Sequence, residues 1–290
     1  MAKIKLITDT ASDIPLKQAE ELGIEMLSFS IMINGNSYQE QRDLSKEEFY
    51  DLMAHSDELP STSQITAFTF QEVFQKFYEQ GYTDLIYVSI NALGSATYQN
   101  AQQAKQMLYE EIPESKSMNI HIIDSGSYTI TYGYPVLKAA EMVNQGCSVE
   151  EIIAYIQHWL NYASAYFIPL TLKYIKKSGR VTAAAAFAGE LLGLKPLLRL
   201  SQGHISIVEK IRGEKNLAPK LTDRILSVML PDSPYLVVEG IQSEQADAAV
   251  EILTQKLGCP PVIRVKVGSA VAVNSGYDMF GVIVLEKQEG

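Results

Sequence analysis

Hydroxyl side chains gather in three short stretches of this 290-residue chain: Pro60-Ser-Thr-Ser-Gln64, Gly94-Ser-Ala-Thr97 and Ser125-Gly-Ser127. Each is expected to follow a strand or to join a strand to a helix, and in an open parallel sheet ligands sit beyond the carboxyl ends of the strands. The Gly94–Thr97 stretch also leads into a predicted helix, whose free N–H groups and dipole favour an anion. Turns and helix caps use the same residue types, so one such stretch decides nothing. Three together point to a small acidic ligand.

Other chemistries find less support. Gly94-Ser95-Ala96 lacks the Gly-x-Ser-x-Gly spacing of a hydrolase elbow, and no histidine lies between Asp124 and His158. The histidines, His55, His121, His158 and His204, are too scattered for a zinc site, and no metal site is expected. His121 falls in an apolar strand and reads as a packed, hydrogen-bonded residue. Asp9 and Asp13 lack the Asp-x-Asp spacing of a magnesium phosphotransfer site, and capping is the expected role. No dinucleotide or P-loop glycine motif occurs. The dense positive cluster is Lys173, Lys176, Lys177 and Arg180, a solvated face or a surface for an anionic ligand or a phosphate-bearing partner.

The elements that must hold these residues alternate strand and helix. Strands are predicted at Lys3–Thr8, Glu25–Ile33, Asp84–Ile90 and Ile120–Asp124. Helices are predicted at 15–22, from Ser45-Lys-Glu-Glu48 (a capping box) to about His55, and at Ala67–Gln80, Tyr98–Glu111, Tyr134–Asn144 and Ser148–Ala163. That rhythm argues for a parallel α/β sheet. Beyond about residue 165 it changes: strands at Ile205–Ile211, Tyr235–Gly240, Val262–Val267 and Gly281–Leu285 are separated by helices near 214–229 and 243–257. The fold class expected is therefore two-domain α/β. The N-terminal domain, 1–163, has a mostly parallel sheet flanked by helices; the C-terminal domain, 164–290, is smaller and mixed. A cleft between them is a favoured ligand site. The stretch Thr171–Leu198 carries an alanine-rich helix predicted from Val181 to Leu194, stopped or bent by Gly193 and Pro196, too short to span a bilayer and suited to walling a cavity.

Composition sets outer bounds. Hydrophobic content of 47% and charged content of 20% are those of a globular protein. A net charge of −10 argues against nucleic acid as a partner. No run reaches transmembrane length, the start lacks a secretory signal pattern, and Cys147 and Cys259 suggest no disulfide, so a cytoplasmic location is expected.

Taken in order, Thr8-Asp-Thr-Ala-Ser-Asp-Ile-Pro15, Pro60–Gln64, Ser95-Ala-Thr-Tyr-Gln-Asn-Ala101, Asp124-Ser125, Leu172–Arg180 and Gly193-Leu-Lys-Pro196 resemble the DegV family, the fatty-acid-binding subunits of bacterial fatty acid kinases. The resemblance covers essentially the full length. It implies a non-catalytic carrier that holds one long-chain fatty acid in a closed tunnel and needs no other cofactor. A separate ATP-dependent kinase subunit would phosphorylate the carboxylate. By the same resemblance Thr62 and Ser95 would hydrogen-bond that carboxylate, within a ligand set of Thr62, Ser63, Gly94, Ser95, Ala96, Ser125, Asn274 and Ser275. Lys177, Arg180 and Arg212 would serve a lid or partner contact. The chain departs from the family pattern at Asn274-Ser-Gly-Tyr-Asp278, where the family typically reads His-Thr-Gly-Pro-Gly, and at Ala92 and Ala96, which replace a serine and a glycine. A neutral amide at Asn274 offers an ordinary hydrogen bond where histidine offers a charge-assisted one. The alternative reading is an enzyme acting on a small phosphorylated or carboxylic metabolite at the domain cleft; a third is a regulatory module whose lipid is only a structural plug.

Overall fold

The computed structural model describes residues 2–179, 193–241 and 244–287. Arg180 and residues 181–192 of the predicted alanine-rich helix lie outside the described residues. Four parallel strands form the first sheet in the order Glu25–Leu27, Ile4–Asp9, Asp84–Ser89, Asn119–Asp124. Leu85 to Val88 are wholly buried, as expected of a strand covered on both faces by helices. Helices Ala67–Glu79 and Thr97–Glu111 pack together, and Ile130–Asn144 packs against both Ile4–Asp9 and Val149–Tyr162. Successive strands are added on opposite sides of the pair Ile4–Asp9 and Asp84–Ser89, so the loops leaving these two strands diverge at their carboxyl ends.

A six-stranded mixed sheet runs in the order His204–Arg212, Leu194–Ser201, Ala163–Pro169, Met279–Leu285, Tyr235–Glu239, Ile263–Lys266. Only the last pairing is parallel. Its strands Ala163–Pro169, Met279–Leu285 and Tyr235–Glu239 are buried along their whole length, and side chains alternate between the two faces. Ala165, Phe167, Leu198, Leu200 and Val238 join the core shared with the first sheet and its helices. Tyr166, Ile168, Leu197 and Val237 join a second core under helices Leu217–Val228 and Glu244–Leu257.

Several expectations need correction. The predicted strand Glu25–Ile33 breaks after Leu27, and Ser30–Ile33 joins a three-stranded antiparallel sheet between Asn36–Gln39 and Ser61–Ser63. Ser61–Ser63, expected as loop, pairs through backbone alone, which leaves no apolar signature. Leu194–Ser201 is a strand where Gly193 and Pro196 had suggested a helix end. Pro196 faces Lys210 on one side, while pairing with Ala163–Pro169 covers only Leu198 to Leu200, so its missing N–H interrupts no ladder there. The small-residue tail contains a helix, Ser269–Ser275, before the strand Met279–Leu285.

Helix Ile130–Asn144 begins a turn earlier than predicted and holds Pro135 within it. Proline cannot donate to the carbonyl four residues before it. That carbonyl, on Thr131, accepts instead from the Trp159 indole N–H at 2.8 Å.

Asp9 and Asp13 cap nothing through their side chains. Both are fully buried. Asp9 accepts from Tyr87 Oη at 2.9 Å, Tyr132 Oη at 2.5 Å and the Ile90 N–H at 3.1 Å. Asp13, at a left-handed φ of 61°, pairs with Lys46 Nζ at 3.1 Å. His121 is hydrogen-bonded as expected, to Asp84 at 3.3 Å.

Candidate functional site

The segment after strand Asp84–Ser89 runs along the carboxyl edge of the first sheet, facing the inward side of the six-stranded sheet. A cavity of about 440 Å³ lies between them, within the usual size of ligand pockets, about 300–1,000 Å³. Ile90 and Ala92–Ala96 form one wall, while Ala165, Phe167, Leu200, Val238 and Met279 form the opposite one. Helix Ser269–Ser275 closes a side with Ala270, Val271, Asn274 and Ser275.

Of the expected ligand set, Thr62, Gly94, Ser95, Ala96, Asn274 and Ser275 line this cavity. Ser63 does not; side chains alternate along its strand, and it is exposed. Ser125 also stays out: its buried hydroxyl donates to the Ser127 carbonyl at 3.2 Å and accepts the Ser127 N–H at 3.0 Å. Lys177 and Arg212 are exposed and line no part of the cavity. Gln64, Gln99, Tyr128, Thr129 and Thr131 also line it, outside the expected ligand set.

Local bonding fixes the polar rim. Ser95 Oγ lies 2.9 Å from Thr97 Oγ1 and accepts the Thr97 N–H at 3.3 Å, holding the loop against the start of helix Thr97–Glu111. Asn274 Nδ2 donates to the Ala270 carbonyl at 3.3 Å, so its amide is partly engaged by its own helix. Asn91 Nδ2 donates to Tyr128 Oη at 3.2 Å and to the Gly203 carbonyl at 3.0 Å, tying the hairpin turn of the second sheet to the Gly94 loop. A neighbouring hollow of about 340 Å³ shares Leu93, Gly94 and Ile205 with the main cavity and reaches Ser178, Gly179 and His204.

No charged side chain lines the cavity among the described residues. Charge sits behind its walls. Burial pushes Asp9 up to about 6, against the hydrogen bonds it accepts, and Ile90, whose N–H it holds, is a wall residue. Burial likewise raises Glu40 to about 7. Glu40 accepts from Thr10 Oγ1 at 2.6 Å and from the Ala270 N–H at 2.8 Å, fixing the start of the cavity-lining helix. Tyr50 Oη donates to the Val267 carbonyl, and Lys46 Nζ to that of Lys266, on the approach to the same helix. This arrangement can exclude water from an aliphatic guest while offering neutral donors among its lining side chains. No group of three or more histidine, cysteine or acidic side chains among the described residues could hold a metal ion. No helix among them is long and apolar enough to cross a membrane.

Residues 3–287 match the family model described as "Uncharacterised protein, DegV family". The chain belongs to the DegV family. A DegV domain-containing protein of Clostridium perfringens is 30% identical over 285 residues, covering 96% of this chain and 97% of the relative. Among solved structures, a fatty acid binding DegV family protein from Streptococcus agalactiae superposes with a TM-score of 0.86 at 26% identity, covering 99% of this chain and 100% of that one. DegV, a fatty acid binding protein from Bacillus subtilis, superposes with a TM-score of 0.82 at 25% identity, covering 99% and 100%. The mixed α/β fold expected from the sequence is the fold of these DegV structures.

Proposed function

We propose that this DegV protein binds one long-chain fatty acid in the cavity between its two sheets and presents the carboxylate to a separate ATP-dependent kinase subunit. The observation that carries the reading is an apolar cavity of about 440 Å³ rimmed by neutral donors, Thr62 and Ser95 among them. The fatty acids bound by the Streptococcus agalactiae and Bacillus subtilis proteins of the same fold support it. Burying a sixteen-carbon chain at about 0.8 kcal/mol per methylene offers on the order of 12 kcal/mol before ordering costs. Each neutral hydrogen bond at the head adds about 1 kcal/mol. Affinity therefore comes from the cavity walls, and Thr62 and Ser95 set register. A carboxylate held by hydroxyls and amides keeps its charge available as a nucleophile toward a phosphoryl donor. On this reading the halves 1–163 and 164–290 are the two domains that enclose the chain, the carrier works in the cytoplasm, and exposed Lys177 and Arg212 belong to the kinase-facing surface.

The test is extraction of the purified, denatured protein with organic solvent and mass spectrometry of the extract. A stoichiometric fatty acid, or uptake of added palmitate or oleate by stripped protein, is expected. Neither being found, or turnover of a small metabolite without a partner protein, would overturn the reading. Thr62→Ala with Ser95→Ala should weaken phosphorylation of bound lipid more than its retention. Equal loss of both would place the head group elsewhere.

A further inference from the structure

Thr131 stands apart from the other polar residues of the cavity. It lines the cavity and is 2% exposed. Its Oγ1 is buried without a hydrogen-bond partner. A valine would fill nearly the same volume without a buried hydroxyl, and an unpaired buried hydroxyl is destabilising. The backbone here is unusual as well. The Thr131 carbonyl, left without its helical donor by Pro135, is taken by Trp159. Thr129, another lining residue, is β-branched yet sits at φ 60°. Strained backbone of this kind is held where the surrounding structure uses it.

No hydrogen bond fixes the hydroxyl in its present orientation. Threonine in a helix divides between two χ1 rotamers, which differ in where the hydroxyl and the methyl point. A guest offering an acceptor or donor at that depth can therefore draw the hydroxyl to itself. A plain alkyl chain cannot, and leaves it unpaired. Ligands that satisfy a site's buried polar group are preferred over analogues lacking the matching atom.

We propose that Thr131 recognises an oxygen carried on the acyl chain itself, so that the preferred ligand class is a long-chain fatty acid bearing a hydroxyl or oxo group part-way along its chain. This rests on the reading that the cavity takes a fatty acid.

The experiment uses full-length protein stripped of lipid. Stearic acid and a series of monohydroxystearic acids, with the hydroxyl moved along the chain, compete with a fluorescent fatty acid. Wild type should bind one positional isomer, or two adjacent ones, about three- to tenfold more tightly than stearic acid, the worth of one neutral hydrogen bond. Thr131→Val should lose that preference while binding stearic acid at least as well and melting no lower; Thr131→Ser should keep the preference. No favoured isomer, or a preference that survives Thr131→Val, overturns the inference and leaves fatty acid binding standing. Weakened stearic acid binding by Thr131→Val also overturns it, because the hydroxyl would then belong to the carboxylate. Failure of stearic acid and every isomer to bind wild type removes the fatty acid reading and this inference together.

Discussion

Glu40→Gln should make the lipid-free protein more stable at neutral and alkaline pH. Glu40 is 2% exposed and accepts from Thr10 Oγ1 at 2.6 Å and the Ala270 N–H at 2.8 Å. Burial is the main cause that raises its carboxyl from an ordinary 4.5 to about 7; Asp13 pushes the same way, while the two hydrogen bonds and Lys46 oppose. A carboxyl that holds its proton more tightly in the folded state adds stability below its unfolded value. That stability is lost as pH rises through the folded one. At about 1.4 kcal/mol per pH unit, the gap corresponds to about 3 kcal/mol. Glutamine mimics the protonated form: its carbonyl can accept from Ala270, and its amide can donate to Thr10 Oγ1. Glu40→Gln should thus exceed wild type by about 3 kcal/mol near pH 8, and the advantage should vanish toward pH 4.5. Urea unfolding of both proteins across this range gives the difference directly. Asp9, raised to about 6, is present in both proteins, tilts both curves in the same direction and cancels. A flat difference, or a glutamine variant less stable at pH 8, would refute the reasoning.

Two further changes probe the cavity and its rim. Ala165→Phe puts a ring into the wall formed with Phe167 and Met279, and should shift the extracted lipid toward shorter chains; an unchanged chain-length profile by mass spectrometry would show that this wall does not bound the tail. A Cβ at Gly94 would collide with the Tyr128 hydroxyl, disturbing the bond from Asn91. Gly94→Ala should therefore cost about 1–3 kcal/mol and lower the melting temperature by several degrees, and an unaltered melt would mean that the ring moves away freely.

Strongly patterned elements were legible in the sequence. Asp84–Ser89 reads as a buried strand because its middle, Leu85 to Val88, is apolar, and Ser45 with Glu48 forms the expected capping box. The rim residues Thr62, Ser95, Asn274 and Ser275 were expected at the ligand site, and all four line the cavity. Ser63 and Ser125 carry the same chemistry in the same kind of stretch, and only strand alternation and a turn hydrogen bond separate them from the others. Thr131 was hidden because Pro135 obscured the true start of its helix, which depends on a tryptophan 28 positions away. Asp9 and Asp13 read as capping residues in the sequence. Their burial rests on Tyr132 and Lys46, distant in sequence, as that of Glu40 rests on Ala270. Such pairings leave no local pattern.

Trp159 is the only tryptophan in the chain. Its indole is tethered to the Thr131 backbone and packed against the Tyr134 ring, with centroids 4.5 Å apart. The protein thus carries a built-in optical probe one residue removed from its own cavity. Filling or emptying that space should register in ultraviolet emission, so loading and unloading can be followed in real time with no dye attached.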